Sequence, residues 1–350
     1  MIEYRPWSQM ELSKSFAKYQ RGFFSILDIE VSGHCNFNCV YCDSPDHRKK
    51  CTINIINIER LLCSQLFDWV FICGLGEPTA GTNYHFLIDV LKLCKKYGVR
   101  CSIFTNGSVC NDELLKYIEE GILHILFKYD SADFKLNANV YGTSNLKAKR
   151  QYSNIQTLIK YVHCEDNMTN IGASIVPTKL NKDKIPQIVE ECCKYNVYPL
   201  LADLENSGRG QEHFSALSLN PDEIRELKNV VEEIIGEEYR IPICPAVISG
   251  IHINNNSNIV VDEISGLACP WFWLEEPQLY TALKLNSDTS LDEIRNAIIK
   301  FRNRKLDKVK ELQTLYNTPY SEKFGGCGGD INSLLNIYIK IQQLLKVENS

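Results

Sequence analysis

The chain has 350 residues, 44% of them hydrophobic and 23% charged, which is the composition of a folded globular protein with room for a barrel-sized core. The formal net charge of -5 argues against a nucleic acid as partner, because proteins that bind phosphate backbones usually carry a basic surplus. Fifteen cysteines without an N-terminal secretory signal predict a reduced, cytoplasmic protein with metal or redox chemistry, and no apolar run is long enough to cross a membrane.

Short apolar runs alternate with amphipathic stretches through the first two thirds of the chain. This alternation predicts parallel βα units, preceded by a helical lead-in. The expected strands lie near residues 24–31, 69–73, 99–104, 123–127, 171–176 and 197–201. The pattern predicts a parallel α/β fold, and by itself it does not separate an open barrel from a doubly wound sheet.

Capping residues mark the ends of several predicted helices. Gly98 is expected to end a helix after the second strand, and Asn111 to cap a helix that ends at Gly121. Asn220-Pro221-Asp222-Glu223 has a cap, a proline at the first helical position and an acidic residue at the third, as helix starts often do. Ser290 and Glu293 form a predicted capping box.

The pattern changes beyond about residue 240, where short β-like pieces appear at His252-Ile253 and Asn258-Ile259-Val260-Val261 around an Asn-rich turn at 254–256. These pieces and the later helix indicate a C-terminal α+β extension. The predicted segments are a lead-in at 1–22, an α/β domain at 23–215 and the extension at 216–350.

Three closely spaced cysteines, Cys35, Cys39 and Cys42, follow the first predicted strand. Thiolates are the usual ligands of iron–sulfur clusters, and one curled loop can surround a single centre. Three ligands leave one iron of a four-iron cluster open, which suits a site that binds another molecule. A structural zinc site is the alternative, and it would need a fourth Cys or His, for which His34 and His47 are near.

A glycine-rich segment, Gly74-Leu75-Gly76-Glu77-Pro78, follows the second predicted strand. Without a Cβ atom, Gly74 and Gly76 would let the backbone approach a ligand closely. Glu77, followed by Pro78, is expected to offer an exposed carboxylate at the strand end. A plain strand-ending turn is the alternative.

Further candidate residues lie at the ends of the later strands, where ligands sit in α/β folds. Asn106 belongs to a Thr-Asn-Gly turn, and Lys128 and Asp130 place a cation and a carboxylate at one rim unless they form a surface ion pair. Val176 could supply an apolar wall. Arg209, in a Gly-Arg-Gly turn, can hold a carboxylate bidentately.

The C-x3-C-x2-C run, with Tyr41 before its last cysteine, resembles the signature of the radical S-adenosylmethionine (SAM) superfamily, and Gly74–Pro78 resembles that superfamily's Gly-Gly-Glu-Pro-like segment. The resemblance implies a partial (β/α)6 TIM-like barrel. It also implies that Cys35, Cys39 and Cys42 hold a 4Fe-4S cluster whose open iron binds SAM. Reduction by a carrier such as a flavodoxin or ferredoxin would then release a 5′-deoxyadenosyl radical.

The resemblance also assigns roles to the strand-end residues. The segment Gly74–Pro78 would hold the SAM amino group, Lys128 and Asp130 its carboxylate and ribose, and Val176 the adenine. Asn106 lies in a turn that recurs in these enzymes. For Arg209 the partner stays open between SAM, Glu205 and the substrate.

Three more cysteines, Cys244, Cys269 and Cys327, each stand next to Pro or Gly. Their region resembles the SPASM or twitch extension of radical SAM enzymes, although it has fewer cysteines than the full SPASM pattern. The resemblance implies at most one auxiliary 4Fe-4S cluster, and a cluster-free cap is the alternative. Cys51 and Cys73 stay ambiguous, and the other cysteines are expected to be small buried hydrophobic residues.

We therefore expect a radical SAM enzyme that abstracts hydrogen from an unactivated carbon, in the maturation of a ribosomal peptide. Dehydrogenation or epimerisation of an aminocyclitol, sugar or other small metabolite is the alternative reaction. A non-catalytic iron–sulfur or zinc protein is the alternative from another class.

Overall fold

The structure is a computed structural model. It describes residues 2–8, 11, 26–31, 33–42, 53–73, 76–206, 208–239, 250–255, 262–265 and 283–312.

The strands, in chain order, are β1 (Glu3–Tyr4), β2 (Ile26–Ile29), β3 (Trp69–Ile72), β4 (Arg100–Thr105), β5 (Leu123–Lys128), β6 (Cys164–Glu165), β7 (Met168–Thr169), β8 (Ile171–Ile175), β9 (Tyr198–Leu201), β10 (Gly250–Asn255), β11 (Asp262–Ser265) and β12 (Leu283–Leu285). The helices are α1 (Ile55–Cys63), α2 (Thr82–Tyr97), α3 (Asp112–Glu119), α4 (Phe134–Val140), α5 (Asn145–Leu158), α6 (Ile185–Lys194), α7 (Gly208–Leu217), α8 (Pro221–Ile235) and α9 (Leu291–Leu312). The six strands expected from the sequence are confirmed as β2, β3, β4, β5, β8 and β9.

These six strands lie side by side in chain order, and each pairs with its neighbour in parallel. Because the order does not reverse, successive βα units add on the same side, as in a barrel; a doubly wound sheet has a switch point where the order reverses. The strand order therefore favours the partial TIM-like barrel over the doubly wound sheet.

The sheet continues beyond the predicted domain boundary at 215. Strand β10 pairs in parallel with β2, and β11 and β12 follow as antiparallel strands. Asn254 and Asn255, expected in a turn, instead belong to β10, where they pair with Glu263 and Asp262. The predicted β-piece at 258–261 lies outside the described residues.

The N-terminal segment differs from the expected helical lead-in over residues 3–7, which form β1 and a short 3-10 turn. The buried Tyr4 hydroxyl lies 2.9 Å from the Ser102 hydroxyl, and the Trp7 ring lies 5.8 Å from that of Phe104. This segment therefore packs on the face of the sheet opposite the core that the described helices form.

The hydrophobic core lies between the sheet and the helices. Alternate strand residues face it, so that Leu27 and Ile29 of β2 and Val70 and Ile72 of β3 share one core with helical leucines. The intervening positions, such as Asp28, point to the opposite face.

The predicted helix ends are confirmed where the structure describes them. Gly98 ends α2 in the left-handed conformation with φ 68°, and the Asn111 side chain accepts a hydrogen bond from Leu114 N. Asn220 and Glu223 form a reciprocal capping box at the start of α8. These local signals did not depend on tertiary contacts, because each lies within one helical turn.

Candidate functional site

The site is built around the cysteine loop, which we define as residues 34–42, where the chain leaves the carboxyl end of β2. Cys35, Cys39 and Cys42 are all partly exposed within it. Burial raises the pKa of Cys35, and it raises that of Cys39 to about 12; ionisation of Cys42 would raise both. The thiols therefore lie within electrostatic reach of one another, and an iron centre would offset the cost of their charge.

This donor set fits an iron–sulfur cluster. In the described part of the chain, no three His, Cys, Asp or Glu side chains converge closely enough to hold one metal ion. A cluster does not require such convergence, because each thiolate binds a different iron atom.

The turn between α4 and α5 holds one side of the cysteine loop by backbone pairing. Asn38 N donates to Tyr141 O at 2.9 Å, and Val40 N donates to Val140 O at 2.9 Å. Gly142 has φ +52°, and a Cβ atom there would lie 2.2 Å from Asn38 O. This glycine is therefore required for the turn to approach the loop.

The start of α7 holds the other side of the loop. Arg209 Nε donates to Cys39 O at 2.8 Å, and Arg209 N donates to Cys42 O at 2.9 Å. A Cβ atom on Gly210 would lie 2.4 Å from Glu205 O. Arg209 therefore contacts the carbonyl groups of two candidate ligands, a contact that the sequence did not indicate.

Glu77 does not present the exposed carboxylate that was expected, because its residue is only 2% exposed. Oε1 accepts from Thr79 N at 2.9 Å and from the hydroxyls of Thr79 and Thr105 at 2.6 Å each, and Oε2 accepts from Asn106 N at 2.6 Å. The carboxylate therefore ties the end of β3 to the end of β4. Burial raises its pKa, and these hydrogen bonds oppose that rise.

The rest of the glycine-rich segment is described in part. Gly74 lies outside the described residues, whereas Gly76 is described and has φ 74°. The backbone N of Glu77, which precedes Pro78, donates to His34 O at 2.9 Å. The segment thus adjoins the start of the cysteine loop, as its predicted role requires, and that role stays a prediction.

Asn106 reaches the first cysteine. Its amide Nδ2 lies 3.9 Å from Cys35 Sγ and donates to Asn36 Oδ1 at 2.8 Å. Asn36 Nδ2 in turn donates to the Ser108 hydroxyl at 2.8 Å. The Thr-Asn-Gly turn therefore contacts the side chains of Cys35 and Asn36 at the start of the cysteine loop.

Asp130 is fully buried beneath the cysteine loop, so it is not part of a surface ion pair. It accepts a hydrogen bond from the Tyr41 hydroxyl and another from Val176 N at 2.8 Å. Lys128 Nζ lies 3.8 Å from Asp130 Oδ2 and 4.6 Å from the centre of the Tyr41 ring. Burial and the Asp130 charge raise the pKa of Tyr41, so that its hydroxyl stays protonated as a donor.

A cavity of about 620 Å³ opens beside the cysteine loop. Four loop residues line it, together with four residues from the turn before α5 and its first turn: Cys35, Asn36, Phe37, Asn38, Gly142, Thr143, Ser144 and Lys147.

A charged cluster that the sequence did not reveal, with His252 and Asp28 buried, lies on the face of β2 and β10 that points away from the hydrophobic core. His252 Nδ1 lies 3.1 Å from Asp28 Oδ2, its Nε2 lies 3.6 Å from Glu30 Oε2, and Cys73 Sγ donates to Asp28 Oδ1 at 3.3 Å. Burial alone would lower the pKa of His252, but hydrogen bonds and charge from Asp28 and Glu30 outweigh it and raise the pKa to about 10.

The three C-terminal cysteines of the predicted auxiliary site, Cys244, Cys269 and Cys327, lie outside the described residues. Among the helices that the structure describes, none combines the length and the apolar character needed to cross a membrane.

Comparison with known proteins gives a family match and several distant relatives. Residues 29–174 match the model of the radical SAM superfamily. A tungsten-containing aldehyde ferredoxin oxidoreductase cofactor-modifying protein from Pyrococcus furiosus is 24% identical over 228 residues, which cover 61% of this chain and 59% of that protein. An S-adenosylmethionine-dependent nucleotide dehydratase from Psychrobacter lutiphocae is 25% identical over 199 residues, 51% of this chain and 66% of that protein. The chain thus spans less than two thirds of either relative.

Solved structures show the same fold. The structure of anSMEcpe with bound AdoMet aligns with a TM-score of 0.53 at 15% identity, covering 93% of this chain and 98% of that one. Native anSMEcpe with AdoMet and a Cp18Cys peptide aligns with a TM-score of 0.51 at 14% identity, covering 93% and 99%.

Proposed function

We propose that the chain is a radical SAM enzyme, which cleaves SAM reductively and removes hydrogen from an unactivated carbon of its substrate. The match of residues 29–174 to the model of the radical SAM superfamily supports this proposal. The observation that carries the proposal is the cysteine loop, whose backbone makes two hydrogen bonds to the end of α4 and the turn after it and accepts two from Arg209. A loop fixed in this way offers its thiolates with little ordering cost on binding.

When bound, a 4Fe-4S cluster would supply the electron that cleaves SAM. Cys35, Cys39 and Cys42 would hold it. Arg209 fixes the backbone of two of these ligands, and the buried Asp130 fixes Tyr41 between them.

The residues proposed for SAM sit around this loop. Glu77 ties the ends of β3 and β4 together, and its carboxylate already accepts four hydrogen bonds. We therefore propose that the amino group of SAM binds main-chain oxygen atoms of the segment around Glu77 and not a free carboxylate. Lys128 is the nearby cation for the SAM carboxylate, with its side chain 20% exposed, and Val176 lies at the end of β8 for the adenine.

The test is SAM cleavage after anaerobic cluster reconstitution, with dithionite as reductant and 5′-deoxyadenosine as the measured product. Changing Cys35, Cys39 and Cys42 together to Ala should abolish the product. Cys63, Cys164 and Cys193 were expected to be buried but are exposed. A matched triple change of these three to Ala should leave the product unchanged. Product from the first variant would overturn the proposal, and a protein that binds iron without cleaving SAM would be the non-catalytic iron–sulfur alternative.

For the substrate, we favour a peptide, with support from the anSMEcpe structure that has a peptide bound and shares this fold over 93% of the chain. A small metabolite is the second candidate, favoured by the relative whose name gives a nucleotide as its substrate. Incubation with deuterated candidates of each class separates the two, because the true substrate transfers deuterium to 5′-deoxyadenosine.

We also propose an auxiliary cluster on Cys244, Cys269 and Cys327, supported by their Pro and Gly neighbours in the sequence. Two four-iron clusters would give about eight irons per chain, and a variant with these three cysteines changed to Ala would retain about four. About four irons in the unmodified protein would refute the second cluster and favour a redox-neutral reaction such as epimerisation.

A further inference from the structure

Asp130 uses all four of its polar atoms in contacts within the protein, and the residue is 0% exposed. Its backbone N donates to the Tyr141 hydroxyl at 3.1 Å, and its backbone O accepts from Asn181 Nδ2 at 3.2 Å. Its Oδ1 accepts from Val176 N at 2.8 Å, and its Oδ2 accepts from the Tyr41 hydroxyl. No part of the Asp130 side chain is therefore exposed to a ligand, although the resemblance implied that it binds SAM.

Two of these contacts reach the cysteine loop on either side of Cys39. Tyr41 belongs to the loop, and its hydroxyl donates directly to the Asp130 carboxylate. Tyr141 lies outside the loop, and its ring stacks on that of Phe37 with the centroids 5.6 Å apart. Asp130 is thus joined to both of the aromatic rings that flank the proposed middle ligand.

The charge of Asp130 has no explanation in stability alone. Both carboxylate oxygens accept hydrogen bonds from N–H or O–H donors, as an ionised carboxylate does. Lys128 Nζ lies 3.8 Å from Oδ2, and the Lys128 side chain is 20% exposed. A buried ion pair is often no more stabilising than neutral side chains of similar volume. Buried charges next to a candidate site are typical of functional residues.

We propose that Asp130 is a positioning residue for the cluster, which holds Cys39 through Tyr41 and Tyr141 and whose negative charge lowers the reduction potential of the cluster. This inference rests on the proposed function, because that function requires the cluster. Nearby charge is one of the quantities that set the reduction potential of an iron–sulfur cluster, and a negative charge disfavours the added electron.

The positioning role is tested by Tyr41→Phe, which removes one hydroxyl and keeps the ring. We expect the reconstituted holoprotein of this variant to lose iron to the chelator ferrozine at least about fivefold faster than the unmodified protein, because a hydrogen bond to a charged group is lost. We also expect an altered electron paramagnetic resonance (EPR) spectrum of the dithionite-reduced cluster, measured without SAM.

Tyr4→Phe is the matched control, because it also removes a buried tyrosine hydroxyl, one that lies 2.9 Å from the Ser102 hydroxyl. This variant should keep the iron loss rate and the EPR spectrum of the unmodified protein. Equal acceleration in both variants would mean that the hydroxyl of Tyr41 acts only through general stability, and it would overturn the proposal. No acceleration in Tyr41→Phe would overturn it as well.

The role of the charge is tested by Asp130→Asn, which keeps the volume and an oxygen acceptor for Val176 N. The Asn amide can donate to the Tyr41 hydroxyl, so we expect this variant to lose iron more slowly than Tyr41→Phe. The midpoint potential of its cluster, titrated by EPR, should rise because the positive charge of Lys128 is no longer balanced. An unchanged or lower potential would contradict the role of the charge.

These measurements do not depend on SAM cleavage. A holoprotein that shows the expected iron loss and potentials but forms no 5′-deoxyadenosine would defeat the proposed function and leave the role of Asp130 standing. An active enzyme whose Tyr41→Phe variant keeps its iron and its EPR spectrum would defeat only the inference. A normal cluster with weakened SAM binding in Asp130→Asn would assign Asp130 to SAM and overturn the proposal.

Discussion

Replacement of Gly142 by Ala tests whether the α4–α5 turn holds the cysteine loop. At φ +52° an alanine costs about 1–2 kcal/mol of backbone strain. Its Cβ atom would also lie 2.2 Å from Asn38 O, where ordinary C···O contacts are about 3.3 Å or longer, so the loop must move by roughly 1 Å. That movement breaks or weakens the hydrogen bonds of Asn38 N and Val40 N, at about 0.5–1.5 kcal/mol each.

Gly98 provides the control, because it has φ +68° with nothing within 4 Å of an added Cβ atom. Both Ala variants have the backbone strain of a positive φ, but only Gly142→Ala also brings a Cβ atom too close to Asn38 O. We expect Gly142→Ala to lower the free energy of unfolding by about 1–3 kcal/mol more than Gly98→Ala, measured by urea denaturation. We also expect it to bind less iron after reconstitution. Equal stability and equal iron content in the two variants would refute the role assigned to the turn.

Two further changes test the buried charged groups. Glu77→Gln should destabilise the apo-protein by about 1.5–3 kcal/mol in urea denaturation. Each carboxylate oxygen of Glu77 accepts a hydrogen bond from a backbone N–H, so in either orientation the glutamine NH2 group would face one of these donors. An unchanged denaturation midpoint would contradict this. His252→Gln should lower the free energy of unfolding by about 3 kcal/mol at pH 6.5, because it leaves Asp28 and Glu30 without their cation. Because the pKa of His252 is raised to about 10, the stability that protonated His252 contributes is complete below pH 6.5 and is lost as the pH rises towards 10. The difference in free energy of unfolding between the two proteins should therefore shrink over that range. A constant difference would contradict the ion pair.

The strands of the parallel sheet could be predicted from the sequence because their signals are local. Each buried parallel strand is a short apolar run that needs only its own residues to be recognised. The helix caps at Asn111 and Asn220 are likewise contained within one turn. The cysteine loop was identified from residue type and spacing alone.

The contacts that position the site could not be predicted because their partners meet only after the strands pair. The parallel alignment of β3 and β4 brings Thr105 and Asn106 to Glu77. The sequence therefore indicated a free carboxylate, whereas in the fold both carboxylate oxygens already accept hydrogen bonds. His252 and Asp28 are 224 positions apart and are opposite each other only because β10 pairs with β2. Hydrogen-bond partners at this separation leave no local pattern.

The aromatic residues of the cysteine loop show how the fold fixes Cys39, the middle one of the three proposed ligands. The Phe37 ring stacks on that of Tyr141 with centroids 5.6 Å apart, and the Tyr41 hydroxyl donates to the buried Asp130. Cys39 lies between these two anchored rings, so its backbone has little freedom on either side. Because the anchors are Tyr141 and Asp130 and not the thiols, the loop should keep its shape when the cysteines are changed to Ala. Loss of SAM cleavage in that variant would then report on the missing ligands and not on unfolding.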